Sequence, residues 1–370
     1  MDSITSISIE GFKSIKNLDR LALSGINVLI GPNGSGKSNL VGFFQLLNHA
    51  MTEGMQAYIS KRGFADSFLY LGSKVTHRIH GKLEFSADTG RNKYHFTLIP
   101  AAGDILIFTE ESIHYQAEGD SHAIEKALEP GGKESSLPTA TLMQLKADES
   151  RTAEAILNQL TRKRVYQFHD TSFESKLRKA AHLDDNRYLR SDGGNLSAIL
   201  FRLKRDKPDF YRRIVLQLRR MIPGFQEFVL EPEGDHVLLR WRGQDPEYIF
   251  GPHQVSDGSL RLMALTTLLL QPREDLPDMI IIDEPELGLH PEAETLLAGM
   301  IRSVSARCQV LLATQSASLV DNFEPEDVIV CEMKKGASQF YRPAPEVLGT
   351  WLEDYTLGEV WRKNVIGGQP

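Results

Sequence analysis

The chain has 370 residues, 41% of them hydrophobic and 25% charged, which is typical of a globular protein. No apolar run approaches the roughly 18 residues of a membrane span, and the N-terminus has no basic-then-apolar signal pattern. The net charge of −7 argues against a protein whose whole surface is a nucleic-acid footprint. The two cysteines, Cys308 and Cys331, lie in apolar segments, which predicts reduced core thiols and a cytoplasmic protein.

The first motif is a glycine-rich loop between a short apolar strand, residues 26–30, and an apolar helical pattern. Residues 31–38, GPNGSGKS, fit the phosphate-binding pattern G-x-x-x-x-G-K-[ST], although a simple glycine-rich turn is the alternative. Glycines let backbone N–H groups surround phosphate oxygens at a helix N-terminus. Lys37 is expected to contact the β- and γ-phosphates of ATP, and Ser38 to be a ligand of Mg²⁺. The predicted nucleotide-binding residues are Gly31, Pro32, Asn33, Gly34, Ser35, Gly36, Lys37, Ser38 and Asn39.

The middle of the chain changes its pattern three times. Residues 77–116 alternate apolar and polar positions, which predicts antiparallel strands. Residues 119–160 are polar and predict a loop followed by a helix, and residues 173–222 predict helices. The absence of a long heptad run excludes extended coiled-coil arms.

A basic segment follows, because residues 160–220 contain 16 Lys or Arg and 7 Asp or Glu, a local excess of 16 − 7 = 9. This excess fits a surface for nucleic acid or for an acidic protein. The alternative is a set of solvated helical faces, with some arginines holding the segment together. His169 and Asp170 lie in the same segment, and without a second histidine-rich motif or a cysteine cluster they are interpreted as structural or interface residues.

A second helix start, residues 255–270, has a short polar sequence that contains glycine. Ser256 is a good N-cap residue, and Gly258 follows it within the first turn. Such a helix N-terminus can bind an anion, so Ser256 and Gly258 are further candidates for contact with ATP phosphates. An ordinary capped helix is the alternative.

Residues 279–291, MIIIDEPELGLHP, predict a buried strand that ends on adjacent carboxylates. Asp283 is the candidate Mg²⁺ ligand, and Glu284 is the candidate catalytic group that polarises the attacking water. Solvated carboxylates at a loop start are the alternative, and Glu286 is as compatible with a simple turn at Pro285. Lys37 and Asp283 are 283 − 37 = 246 residues apart, which predicts a large insertion between the two halves of the site.

Together these motifs resemble the RecF/SMC-like branch of the ATP-binding-cassette ATPases, and more narrowly a bacterial family of predicted ATPases related to the OLD and RecF proteins. The resemblance rests on GFKSIKN (11–17), SDGSLR (256–261), DEPELGLHP (283–291), ATQS (313–316) and LGEVWRKNVIGG (357–368), with further similarity at YQFHDTS (166–172) and GGNLSAIL (193–200).

The resemblance implies an α/β fold: an ATP-binding-cassette head with a P-loop NTPase core, an antiparallel β lobe and a helical insertion lobe. The expected division is 1–118 for the first half of the head, 119–222 for the insertion lobe and 223–370 for the second half. Ser256 and Gly258 would act on ATP held by another subunit. Gln315 stands where the family usually has a histidine that contacts the γ-phosphate, and His290 replaces an aspartate.

The implied function is ATP binding and hydrolysis by a homodimer or higher homo-oligomer, in DNA repair or anti-phage defence, beside a separate effector such as a nuclease. The implied cofactors are ATP and Mg²⁺, and Glu284, Lys37 and Gln315 are the expected catalytic residues. A scaffold that binds ATP with negligible hydrolysis is the alternative, and a transporter subunit is disfavoured by the insertion. The sequence does not place the glutamine of the family's Q-loop.

Overall fold

The computed structural model describes residues 3–52, 54–87, 90–118, 123–140, 145–245 and 247–369. Its strands, in chain order, are β1 (Ile4–Phe12), β2 (Ile15–Ala22), β3 (Ile26–Ile30), β4 (Ile79–Ala87), β5 (Gly90–Ala101), β6 (Ile105–Ala117), β7 (Ala123–Ala127), β8 (Lys163–Tyr166), β9 (Ala181–His182), β10 (Glu227–Val229), β11 (Pro232–Glu233), β12 (His236–Val237), β13 (Arg240–Arg242), β14 (Ile249–Phe250), β15 (Met279–Asp283), β16 (Gln309–Thr314), β17 (Val328–Lys334) and β18 (Ala337–Tyr341).

The α-helices are α1 (Lys37–Met51), α2 (Met55–Lys61), α3 (Leu137–Ala140), α4 (Ala147–Thr161), α5 (Leu196–Asp206), α6 (Pro208–Met221), α7 (Asp257–Leu270), α8 (Pro291–Ser305), α9 (Ala317–Val320), α10 (Pro345–Gly349) and α11 (Leu357–Arg362). None of the helices in the described ranges is long and apolar enough to cross a membrane.

The central sheet has the order β18-β17-β3-β16-β15-β8, with β18 antiparallel at one edge and the other five strands parallel. Because β3, β15 and β8 are parallel, their carboxyl ends meet at one edge of the sheet, which is where parallel α/β sheets bind ligands. The P-loop, the acid pair and the residues after β8 are therefore brought together.

A second sheet, order β2-β1-β4-β5-β6-β7, is antiparallel throughout and contains the strands predicted for residues 77–116. Helix α1 lies between the two sheets, because its residues Phe43 and Leu47 belong to the same core cluster as Leu83 of β4 and Ile281 of β15. On the opposite face of the central sheet, Ile280 packs in a core with α5–α8. The strand β15 is thus buried on both faces, as its Ile-rich sequence predicts.

The helical lobe predicted for residues 119–222 needs correction. Strand β7 extends the antiparallel sheet, and β8 pairs with β15 inside the central sheet. Residues 167–195 contain a two-residue strand and one short 3₁₀ turn, and α-helix begins only at Leu196. A four-residue strand such as β8 cannot be separated from a helix by periodicity, because it is shorter than either pattern. Residues 119–122 and 141–144 of this segment lie outside the described residues.

Candidate functional site

The P-loop joins β3 to α1 as the sequence predicts, and its glycines have conformations that other residues rarely adopt. Gly31 has φ 152°, Gly34 has φ 76° and Gly36 has φ 111°. A Cβ at Gly31 would overlap the carbonyl oxygen of Cys331, so the strand neighbours also exclude a larger residue there. The loop is therefore held tightly against β17 while its tip at Gly34 stays open to solvent.

Lys37 begins α1 and turns its side chain back into the loop. Its Nζ donates to the carbonyl oxygens of Gly31, at 2.6 Å, and Pro32, at 3.0 Å. Burial lowers the pKa of this ammonium, and the negative charges of Glu284 and Asp283 oppose that shift. The lysine thus lies beside both acids of β15, where a phosphate would meet a desolvated cation.

A chain of hydrogen bonds through two serine hydroxyl groups supports the P-loop. Asn39 donates from Nδ2 to Oγ of Ser14 at 2.6 Å, Ser14 is 2.6 Å from Oγ of Ser338, and Ser338 donates to the carbonyl of Ser35 at 2.6 Å. Asn39 thus reaches the loop through Ser14 and Ser338. The Oγ of Ser35 is buried and has no hydrogen-bond partner among the described residues, which leaves it available.

Asp283 ends β15 with its carboxyl group almost fully buried, at 6% exposure. Ser38 hydrogen-bonds to this carboxyl, yet burial dominates and raises the pKa of Asp283. Its Oδ1 has no hydrogen-bond partner in the described part of the chain. A buried, unpartnered carboxylate oxygen beside a serine hydroxyl is a donor set suited to Mg²⁺, which prefers a few hard oxygen ligands from the protein.

Glu284 has φ 46°, a left-handed conformation that is unusual for a residue with a side chain. Its backbone N–H donates to the carbonyl of Ala313 at 2.7 Å, which fixes it against the next strand. The Nε2 of Gln315 donates to Oε1 of Glu284. The structure therefore brings the predicted catalytic pair, Glu284 and Gln315, into direct contact.

Glu286 has a role that the sequence left open between a turn and a site. Its Oε1 accepts hydrogen bonds from Oγ1 of Thr314 at 2.7 Å and from the backbone N–H of Gln315 at 2.9 Å. Burial raises the pKa of this carboxyl, and these two donors oppose the shift. Glu286 is thus a buried anchor that positions Gln315 against Glu284.

His169 reaches the site from a part of the chain that sequence reasoning did not connect to it, and Arg261 reaches it from the motif at the start of α7. His169 follows β8, and its Nε2 donates to the backbone carbonyl of Asp283 at 2.7 Å. Arg261 of α7 donates to the carbonyls of His169 at 3.0 Å and Leu287 at 2.8 Å. The signal for Arg261 is its place in SDGSLR, five residues after Ser256. For His169, the only signal in the sequence is its position next to Asp170.

The polar start of α7 packs against the turn after β15. Ser256 caps the helix by accepting a bond from the Ser259 N–H at 3.2 Å, as predicted. A Cβ at Gly258 would overlap the carbonyl oxygen of Gly288. His290 caps α8, with Nδ1 accepting from the Glu292 N–H at 3.4 Å. Ser256 itself is exposed, so the start of α7 lies at the surface.

The basic segment at residues 160–220 is neutralised in part where it forms helices. Arg202 is half of a buried ion pair, 2.7 Å from Asp275, and Lys207 lies 2.6 Å from Glu274. These pairs tie α5 to the loop after α7, which is the structural interpretation of the charge excess. Cations without an ion pair to a described residue include Lys204 in α5, Arg213 in α6 and Arg164 in β8.

The assembled site can bind a triphosphate at the P-loop, hold a divalent cation between Ser38 and Asp283, and present Glu284 to a water molecule. Such an arrangement is that of a nucleoside triphosphatase, in which catalysis depends on positioning and on charge stabilisation.

Comparisons with solved structures identify the fold. The head of an Smc protein bound to the C-winged helix domain of ScpA has a TM-score of 0.60 and 16% identity, covering 94% of this chain and 99% of that one. An Smc head with an extended coiled coil, from a complex derived from Pyrococcus furiosus, has a TM-score of 0.56 and 14% identity over 96% and 99%. The SMC head of Thermotoga maritima has a TM-score of 0.52 and 13% identity over 92% and 99%.

No curated protein matches the chain. A family model matches residues 26–321, from the strand before the P-loop to beyond Gln315, and its description is "AAA domain, putative AbiEii toxin, Type IV TA system". The chain therefore belongs to this family of AAA domains and has the P-loop ATPase fold of the ATP-binding-cassette and SMC heads.

Proposed function

We propose that the chain binds ATP with Mg²⁺ and hydrolyses it. The single observation that carries this proposal is the pair at the end of β15: Asp283, buried with an unpartnered oxygen beside Ser38, and Glu284, held in a left-handed conformation beside Gln315. A strained backbone next to a buried carboxylate is typical of a functional site.

Each residue has a distinct task in the proposed reaction. Ser38 and Asp283 would hold Mg²⁺, which when bound neutralises charge on the β- and γ-phosphates. Lys37 exchanges its bonds to the loop carbonyls for phosphate oxygens. Glu284 orients the attacking water and accepts its proton, while Gln315 keeps the carboxylate in place.

We infer that two copies close around two ATP molecules. The support is the N-terminus of α7, which exposes Ser256 and carries the partial positive charge of a helix start. Gly258, two residues after Ser256, packs beside Gly288 after β15, so a phosphate in trans would contact the turn that follows Glu284. His169 and Arg261 link this turn to Asp283 through hydrogen bonds, so closure of the two copies would act on the acid pair.

The proposed setting is a cytoplasmic ATPase that uses the ATP cycle to sense or signal in DNA repair or anti-phage defence, with a separate effector such as a nuclease. The support is the likeness to SMC heads and the family description, which names a toxin–antitoxin system. Nucleic acid is the proposed ligand of the basic segment 160–220. A scaffold with negligible hydrolysis is the second candidate: Glu284 argues against it, while Gln315, which cannot become a cation at the position next to Glu284, leaves it open.

Two substitutions test the proposal. Glu284→Gln should retain ATP affinity and lose turnover by a factor of about 10²–10⁴, because an amide is a far weaker base of the same shape.

Lys37→Ala should weaken ATP binding about tenfold or more, because it removes a charged hydrogen-bond donor. Calorimetry and phosphate release measure both quantities, and Lys16→Ala on the exposed side of β2 is the control. Wild-type turnover in Glu284→Gln would refute the catalytic assignment, and undetectable wild-type turnover would favour the scaffold.

A further inference from the structure

A large cleft lies apart from the ATP site, with a volume of about 810 Å³. Its walls come from the second half of α1, from α2, from β8 and from the segment around residues 190–192. That volume is in the range of sites for ligands of a few hundred daltons. Neither the P-loop nor the acid pair of β15 lines it, so it is a separate site.

The described residues lining this cleft carry five permanent cations and one carboxylate, Asp192, in a chain whose net charge is −7. Two of the cations have acidic partners, since Lys176 lies 2.8 Å from Asp192 and Arg190 lies 2.9 Å from Asp185. The other three form no ion pair with a described residue: Lys61, Arg62 and Arg164.

Two of these cations lie beside aromatic rings. The guanidinium of Arg164 lies 4.7 Å from the ring centroid of Tyr188, and that of Arg62 lies 5.6 Å from the centroid of Tyr58. Guanidinium planes and aromatic rings are surfaces on which nucleic-acid bases can stack. The side chains of Gln45, Asn48 and Gln167 add hydrogen-bonding groups to the same walls.

His49 lies in the cleft beside two of these cations. Burial lowers the pKa of His49, and the charges of Arg62 and Lys61 lower it further, against the opposite effect of Glu134. The imidazole therefore stays neutral at neutral pH, stacked 4.5 Å from Tyr58. Arg62 and Lys61 thus lie near His49 at the same wall of the cleft, where they would face an anion.

We propose that this cleft binds the phosphodiester backbone of a single-stranded nucleic acid. A positively charged groove with stacking surfaces is the usual architecture of single-strand binding. The cations come from α2 and the residue after it, from β8 and from the 176–190 region, so they line several walls of the cleft. A duplex carries its phosphates on the outside of a rod and would meet only the rim. This inference deepens the proposed contact with nucleic acid and does not depend on ATP hydrolysis.

The cleft is connected to the ATP site by two rigid elements. Helix α1 begins at Lys37 in the P-loop and ends in the cleft wall, and β8 passes from Arg164 toward His169, which contacts Asp283. A nucleic acid bound in the cleft would restrain both α1 and β8. Through these two elements it would change the activity of the ATPase site.

The experiment measures fluorescence anisotropy of a labelled 20-nucleotide oligodeoxythymidylate, without ATP, across a salt series. The Lys61→Glu/Arg62→Glu variant should lose about tenfold or more in affinity. The slope of log K against log salt should become shallower by about 1.4, from two contacts at about 0.7 each. The matched control is Arg362→Glu/Lys363→Glu, the same charge change at two exposed residues at the end of α11, outside both the cleft and the basic segment, which should lose less than about twofold.

Three outcomes would overturn the proposal: no salt-dependent binding by the wild type, equal losses in the two variants, or a duplex of the same length that binds as tightly as the single strand. Thermal unfolding checks that each variant is folded, and Lys61→Gln/Arg62→Gln replaces the first variant if it is not. Binding is measured without nucleotide and turnover without oligonucleotide, so failure here leaves the ATPase proposal separately tested.

Discussion

At the scale of single residues, the sequence predicted functional groups that are adjacent along the chain. The glycines, Lys37 and Ser38 form one continuous motif, and Asp283 and Glu284 are adjacent, so spacing alone assigned them tasks. The residues that position these groups come from far along the chain: His169 is 114 residues from Asp283, and Gln315 is 31 from Glu284. A single sequence gives no measure of that proximity, because only the folded sheet creates it.

Asp283 should combine a functional role with a cost in stability. Its pKa is raised by burial, so the folded chain favours the neutral carboxyl and the ionised form at pH 7 is destabilising. Asp283→Asn should therefore raise the melting temperature by about 1–2 °C in EDTA, since ~1 kcal/mol shifts a large domain by only a few degrees. It should also remove the extra stabilisation that Mg²⁺–ATP gives to the wild type.

Differential scanning fluorimetry with EDTA and with Mg²⁺–ATP measures both effects. Asp184→Asn, at a side chain that is 94% exposed, is the control and should change neither value. If Asp283→Asn lowered the melting temperature in EDTA, the carboxylate would be structural, and its assignment to the metal would lose its main support.

At the scale of elements, long periodic segments were predictable and short ones were not. The P-loop helix, the antiparallel strands and β15 follow from hydrophobic pattern, with 5 to 15 residues each. β8 has four residues and an irregular segment after it, so its place beside β15 depends on packing rather than on pattern. That placement brings His169 to the acid pair and explains why the predicted helical lobe is divided.

The contact between α7 and the turn after β15 should tolerate no side chain at Gly258. A Cβ there would overlap the carbonyl oxygen of Gly288, whereas one at Gly299, within α8, would meet nothing within 4 Å. Gly299→Ala should stabilise the chain by up to ~1 kcal/mol through helix propensity. Gly258→Ala should instead destabilise it by ~1 kcal/mol or more, because α7 must move away from the turn.

Chemical denaturation of this matched pair gives the two free energies of unfolding, and phosphate release gives the turnover of each variant. Gly258→Ala should also lower turnover, since Arg261 on the displaced helix holds Leu287 and His169. Equal stabilisation by both alanines would show that the helix start does not depend on the Gly288 contact.

At the scale of the whole molecule, composition predicted a globular protein but not the uneven distribution of its charges. A net charge of −7 argues correctly against a wholly basic surface, yet the cleft collects five cations from three parts of the chain. Charge counting along the sequence found Arg164 and Lys176 within the basic segment and missed Lys61 and Arg62 in α2 and the loop after it. The cleft exists only because α1, α2 and β8 converge in the fold.

The central claim is that ATP joins two heads, with the exposed start of α7 acting on the partner's nucleotide. Sedimentation velocity of Glu284→Gln with Mg²⁺–ATP tests it most directly, because this variant should trap the closed state. The account predicts a species of twice the monomer mass that requires ATP. Adding Ser256→Arg should abolish that species while leaving ATP affinity within about twofold, since a bulky cation blocks the helix N-terminus. A monomer at saturating ATP, or a dimer unaffected by Ser256→Arg, would contradict the account.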